Sequence, residues 1–336
     1  MQYKKLGNSG LLISDLTLGT MTFGENESRS TPEKEAHEQI DLYLEKGGNH
    51  LDTANGYAQG RSEEIVGRAV KAKRKDVIIA TKVRFPMGTG KNEQGLSRYA
   101  ILQQVENSLR RLQTDYIDLL YMHAWDPLTP IEESLTAFND LVTQGKVRYI
   151  GVSNFKGWQL MKALSISESK HLHRFCVGQY QYSLVKRDLE YEFVDLFTSE
   201  GVGLMPWGPL GGGFLSGKYS PDQMPKDGRI ASSTDQNEES WERRNTARNW
   251  EIIKQVDAIA KDKQATHAQV SIAWLRQKPY VSSIILGART LDQLKDNLQA
   301  EELTLSAEEM GILDQVSALP ELYPYRFLTD YANRIP

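Results

Sequence analysis

The stretch Leu16-Thr17-Leu18-Gly19-Thr20-Met21-Thr22-Phe23-Gly24 decides the fold. A short β-type run, Leu16 to Leu18, empties into a glycine-flanked loop. That loop lacks the G-x-G-x-x-G spacing with which a doubly wound open sheet cradles a dinucleotide after its first strand. Outward along the chain, further β-type runs stand at His50 to Asp52, Val77 to Thr81, Ile117 to Met122, Tyr149 to Val152, Cys176 to Gln179, Gly203 to Met205 and Ser283 to Leu286. Helix-like segments fill the intervals, and no composition break divides them. Eight such units predict an α/β chain folded as a single (β/α)8 TIM barrel.

The punctuation agrees. Thr31 is read as a helix cap with Pro32 at the first helical position, Ser97 as the cap of a helix burying Ile101, Val105, Leu109 and Leu112, and Thr129-Pro130-Ile131-Glu132 as a capping box. Before the barrel, Tyr3 to Leu6 and Leu11 to Ser14 flank Gly7-Asn8-Ser9-Gly10 as a β-hairpin, expected to plug the barrel's N-terminal end. A chain of 336 residues exceeds the ~250 of a plain barrel. The hairpin (1–15), the loop 84–96, an excursion at 208–249 and a tail at 319–336 account for the excess, so 1–336 reads as one domain. The excursion is read as a long cofactor and substrate loop over the C-terminal face.

Composition narrows the function. With 40% hydrophobic and 25% charged residues and a mean hydropathy of −0.50, the chain is not a disordered one. Its 40 basic and 44 acidic residues, net −4, argue against nucleic-acid and anionic-membrane partners. No apolar run is long enough for a membrane span, and Met1 to Leu6 lacks the apolar core of a signal peptide. The lone Cys176 forms no internal disulfide, so a cytoplasmic setting is expected; a homo-oligomer is compatible with the sequence but not signalled by it.

Barrel chemistry sits where strands end. There the sequence sets Asp52 and Tyr57 after the second barrel strand, Lys82 after the third and His123 after the fourth. An ammonium beside a phenol favours the phenolate and is expected to lower a pKa of ~10, which makes Tyr57 a usable proton donor. Asp52 would hold the ammonium, and His123 would donate a hydrogen bond to a substrate oxygen. The four suit protonation of a carbonyl oxygen as hydride arrives at carbon, which requires a reduced cofactor. Near the end of the barrel Arg289 precedes Thr290-Leu291-Asp292-Gln293, a capping box opening a helix. A guanidinium at a helix N-terminus suits a 2′-phosphate, hence NADP(H).

These motifs resemble the aldo-keto reductase superfamily. The resemblance rests on Leu51-Asp52-Thr53-Ala54-Asn55-Gly56-Tyr57 with Ser62-Glu63, Ala80-Thr81-Lys82, Gly151-Val152-Ser153-Asn154 and Gln179-Tyr180-Gln181-Tyr182-Ser183. It continues through Pro206-Trp207-Gly208-Pro209-Leu210, Leu215-Ser216-Gly217-Lys218-Tyr219 and Gly287-Ala288-Arg289 with Gln293 and Asn297. It implies Tyr57 as general acid/base, Lys82 and Asp52 as its tuners and His123 as orienter of the carbonyl. It also implies a nicotinamide carboxamide held by Ser153, Asn154 and Gln179, a loop of Gly19, Thr20 and Met21 beneath the ring, and Trp207 stacked on it in place of a commoner Tyr. Gly208, Pro209, Leu210, Gly217, Lys218, Gly287, Arg289, Gln293 and Asn297 are the remaining implied cofactor contacts, with Asp52 counted among them as well. Leu286 stands where a proline is usual.

The implied substrate is a small aldehyde or ketone, aryl, short aliphatic or sugar-like. Its candidate walls are Phe23, Phe85 and Trp125, with Met21 and the aromatic tail Tyr323-Pro324-Tyr325-Arg326-Phe327 beside them. Two other classes compete. Some members of the family are nicotinamide-binding regulatory subunits of potassium channels, and Gly95-Leu96-Ser97-Arg98 and Leu109-Arg110-Arg111-Leu112 resemble that branch. His50-x-Asp52 with His123 also matches a metal-dependent barrel hydrolase, against which Lys82 and the missing fourth ligand both weigh. His50 is read as a packed strand histidine, and His171 and His173 as surface residues.

Overall fold

The computed structural model describes residues 1–25, 30–226, 228–232 and 239–332. Two short antiparallel strands, β1 (Tyr3–Lys5) and β2 (Leu12–Ser14), precede eight parallel ones. These are β3 (Leu16–Gly19), β4 (His50–Asp52), β5 (Ile78–Val83), β6 (Ile117–Met122), β7 (Val147–Ser153), β8 (Val177–Gln181), β9 (Gly203–Trp207) and β10 (Ile284–Gly287). They run side by side from β3 to β9, and β10 pairs with β3. The seam between β9 and β10 is drawn together by a bridge from Leu204 to Val281 and by the Ser282 N–H donating to the Leu204 carbonyl at 2.8 Å. The result is a nearly closed (β/α)8 barrel with helices between the strands.

Alternation along each strand divides the side chains into two sets. One set faces the helices and joins Leu16, Leu18, Leu51, Ile79, Leu120, Val152 and Leu204 to helical Ile40, Val105, Phe138, Leu160 and Trp274. The other fills the barrel with Ala80, Leu119, Tyr121, Val177, Met205 and Ile285. Leu6 and Ile13 of the hairpin are fully buried in that inner set. Gly7 makes this approach feasible: at φ +54° it lies so close to the Cys176 carbonyl that a Cβ there would stand 2.2 Å away. Above this floor Thr17, His50 and Ser283 form a polar layer, with the Thr17 hydroxyl 3.1 Å from His50 Nδ1 and 2.7 Å from Ser283 Oγ.

Two of the expected caps are different. The helix Glu33–Glu45 begins after Pro32, and the Thr31 hydroxyl donates instead to Thr22 Oγ1 and the Arg289 carbonyl. The helix Ile131–Thr143 begins after Pro130, and the Thr129 hydroxyl donates to Asp126 at 2.8 Å, so no capping box forms. In both places the hydroxyl donates to an oxygen outside the helix, and the cap position falls to the following proline, which has no side-chain oxygen to accept from a helix amide. Ser97 does cap its helix, accepting from the Ala100 N–H.

Candidate active site

The C-terminal ends of β4 and β5 bring three of the four predicted groups into contact. Lys82, fully buried, spends all three ammonium hydrogens: on Asp52 Oδ1 at 2.5 Å, on the Thr53 carbonyl at 2.8 Å and on Tyr57 Oη at 3.2 Å. Burial disfavours that ammonium, but Asp52 and Tyr57 outweigh the penalty and hold its pKa above the ordinary lysine value. The other Asp52 oxygen accepts from Gln179 Nε2 at 2.8 Å. Tyr57 rides on a turn in which Ala58 and Gln59 both adopt positive φ, a rare conformation for residues with a side chain.

The pKa of Tyr57 corrects the expectation. Burial of its hydroxyl pushes the value up, and the Lys82 charge works against that without overcoming it. The Arg229 guanidinium, from the loop 208–249, also acts on Tyr57 and favours its anion, so part of that loop comes near the phenol.

His123 completes the group. Its ring lies 6.0 Å from that of Tyr57 and 4.6 Å from Phe85, both edge-on. Burial and the charges of Lys82 and Arg84 hold its pKa well below the usual histidine range, so the ring is a neutral imidazole. Its Nδ1 is buried without a hydrogen-bond partner among the described residues.

At the ends of β7 and β8 the Ser153 hydroxyl donates to the Gln179 carbonyl, and Asn154 Nδ2 donates to Ser153 Oγ and to the His123 carbonyl. Ser153, Asn154 and Gln179 are therefore one connected set joined to Asp52. Trp207, half-buried, ends β9 beside Gln181. Gly208 follows it at φ +67°, and Gly217 at φ +75° closes a turn that leaves Lys218 exposed. Pro209 of that turn is buried and Leu210 half-buried.

Of the first loop, Met21 is exposed, whereas Gly19 and Thr20 are buried. The Thr20 hydroxyl is occupied by the Asp52 carbonyl and Ser62. Phe23 is fully buried in the core and offers no surface to a ligand, which removes it from the substrate walls. Phe85 and Trp125 are half-buried, and Trp125 packs on Phe155 and on the exposed Trp158, an aromatic neighbour that the sequence did not single out. Asp126 braces its loop by accepting from the Leu96 and Leu128 N–H groups and from Thr129. Tyr325 of the tail stacks on Tyr191 and donates to Glu192, leaving Tyr323 and Phe327 exposed.

At β10, open space surrounds the position of a Cβ on Gly287. Thr290 caps the helix Leu291–Leu298 by accepting from the Gln293 N–H, but Gln293 Oε1 reaches past it to the Arg289 N–H. Glu35 accepts from the Leu291 N–H. The helix amides expected to face an anion are thus partly engaged by the chain's own groups, and Glu35 is a participant with no sequence signal. The exposed Arg289 side chain has no hydrogen bond or ion pair among the described residues. Gln293 is exposed and Asn297 buried one and two helical turns on. A guanidinium with no partner among the described residues, a bare glycine edge after β10 and the amides at the ends of β7 and β8 are groups that fit a dinucleotide.

His50 has both faces buried; burial and Lys82 push its pKa down to about 3. His171 and His173 are exposed. Among the described residues no group of three or more His, Cys, Asp or Glu converges as a metal set. Among the same residues no helix is long and apolar enough to cross a membrane.

A phenol, an ammonium and a carboxylate in series beside a neutral imidazole, at the mouth of a parallel barrel, define a site for moving a proton to or from a bound oxygen. The sequence comparisons give this class its family: residues 15–318 match the Aldo/keto reductase family, and the chain belongs to it. It is 36% identical over 334 residues to a probable voltage-gated potassium channel subunit beta of Arabidopsis thaliana, covering 97% of this chain and 98% of that one. It is 35% identical to the uncharacterized oxidoreductase YrpG of Bacillus subtilis (97% and 100%) and 33% identical to norsolorinic acid reductase of Aspergillus flavus (96% and 82%). Membership supports the general reduction of carbonyls, and NADP dependence is typical of the family.

Proposed function

We propose that this chain is an NADPH-dependent reductase of small aldehydes and ketones, with aryl, short aliphatic and sugar-like carbonyls as its substrate class. The observation that carries the reading is the single ammonium of Lys82 joining Asp52 to Tyr57. The cofactor, when bound, supplies hydride to the carbonyl carbon. Tyr57 gives its proton to the carbonyl oxygen. Its raised pKa keeps that proton in place at neutral pH until the oxygen becomes basic, and Lys82 then faces the phenolate left behind. Asp52 holds the ammonium, and neutral His123 offers an N–H to the same oxygen. Asn154, Ser153 and Gln179 would orient the carboxamide, Trp207 offers a flat face to the nicotinamide, and Arg289 would take the 2′-phosphate.

Tyr57→Phe removes the donor and preserves the ring. Its kcat is expected to fall ~10²-fold or more with little change in NADPH affinity. Unchanged turnover would defeat the reading. The similarity to the plant potassium channel subunit favours a second one, a nicotinamide-binding regulatory subunit with slow or no turnover. Sustained NADPH consumption with an aldehyde separates the two.

A further inference from the structure

Arg84 has no part in the proton relay, yet it stands beside it. It follows Lys82 by two residues at the end of β5 and adopts φ +145°, a backbone conformation that side-chain-bearing residues rarely take. Its main chain is pinned there: the Arg84 N–H donates to Gln104 Oε1, and the Arg84 carbonyl accepts from the Gly95 N–H. The guanidinium carbon lies 5.1 Å from the centre of the Phe85 ring, which itself packs on His123. Arg84 thus adjoins the residue that lies between His123 and the Tyr57 turn, where Phe85 Cβ is 3.9 Å from the position of a Cβ on Gly56.

This cation has no ion-pair partner among the described residues. Among the described residues its guanidinium makes no hydrogen bond and no ion pair, and its Nε is buried without a partner. A buried unpaired donor of a charged group is costly, so native structures rarely leave one without a partner to come. Asp126 feels the Arg84 charge, but both its oxygens are committed to Leu96, Leu128 and Thr129. A guanidinium presents a planar fork that matches the paired oxygens of a carboxylate or phosphate.

We propose that Arg84 binds an anionic group, a carboxylate or a phosphate, on the carbonyl substrate, and that it makes this chain selective for oxo acids or phosphorylated aldehydes over neutral carbonyls. The proposal rests on the reductase reading and narrows its substrate class. The test measures kcat/KM by NADPH oxidation for matched pairs: 4-oxobutanoate against butanal, 4-carboxybenzaldehyde against its methyl ester, and glyceraldehyde 3-phosphate against glyceraldehyde. The first two pairs report a carboxylate and the third a phosphate.

The wild-type chain is expected to favour the anionic member of at least one pair. Arg84→Met should lower that anionic-to-neutral ratio about 10- to 100-fold, as loss of a charge-assisted hydrogen bond does. Arg84→Lys, which keeps the charge and loses the fork, should lower it less, and it reads the same ratio if the Met variant does not fold. A charge that acted only through His123 would shift both members together and leave the ratio where it was. An unchanged ratio in both variants, or no anionic preference in the wild type, overturns the role of Arg84 and leaves the reductase standing. Binding of NADPH without reduction of any of the six carbonyls overturns the reductase reading, and this proposal falls with it.

Discussion

Lys82→Met tests the centre of the site most directly. The substitution keeps an unbranched side chain of similar length in a fully buried position but deletes the ammonium that serves Asp52, Thr53 and Tyr57. Asp52, 2% exposed, is left as a buried carboxylate whose remaining side-chain donor is Gln179 Nε2. Stranding one partner of a buried ion pair costs about 3–5 kcal/mol, whereas removing both charges is often close to neutral. The double variant Asp52→Asn with Lys82→Met should therefore regain most of that loss and unfold within about 1–2 kcal/mol of wild type. Activity should not follow stability. Without the ammonium the phenolate of Tyr57 loses its hydrogen-bonded counter-charge and keeps only the smaller effect of Arg229, so both variants should turn over ~10²-fold or more slowly. Urea unfolding curves give the first comparison and NADPH oxidation with a good aldehyde the second. A double variant as unstable as the single one, or one that recovers turnover, would refute the account of a charge pair maintained for chemistry.

Two further outcomes follow from the same geometry. Arg289→Ala should weaken NADPH binding by about 10- to 100-fold, the value of a charged hydrogen bond, and NADH binding far less; equal losses in a fluorescence titration would deny it the 2′-phosphate. His50, held near pKa 3 in the folded chain against 6.5 in the open, takes up its proton first in the unfolded chain as pH falls. Its contribution is whole above pH 6.5 and is lost between there and about pH 3, at up to about 1.4 kcal/mol per pH unit. His50→Gln should flatten that part of the urea-midpoint profile, and an unaltered slope between pH 6.5 and 4 would contradict it.

The barrel was legible because each strand is a β-rich run bounded by polar or glycine residues, and every run so read overlaps an observed strand. The ends were harder. The run read as Val77 to Thr81 continues through Lys82 to Val83, because Lys82 is neutralised by Asp52 across the strand pair and Val83 pairs with Met122. A charged residue looks like a strand's end until its partner is known. Thr31 and Thr129 misled for a related reason, since a hydroxyl at a helix start does not say whether it serves the helix or another oxygen, the distant Arg289 carbonyl in one case and the neighbouring Asp126 carboxylate in the other.

Phe23 shows the limit for apolar residues, because a ring at a strand end reads equally as pocket wall or core. The order of groups in the site was legible, while the direction of the Tyr57 pKa was not, because it turns on burial of the hydroxyl. Arg84 was missed altogether. The signal that would have found it is its position directly after the β5 run, at a strand end where barrel chemistry sits.

The hairpin beneath the barrel bears on traffic through the molecule. With Leu6 and Ile13 filling the floor and the Thr17 hydroxyl held between His50 and Ser283 above them, the N-terminal end of the barrel is packed with side chains among the described residues. On the proposed reading, the proton that Tyr57 gives up is restored from the C-terminal mouth, the side from which the carbonyl enters. The floor in this way turns the molecule's traffic toward its top, although Leu6 and Ile13 take no part in the site itself.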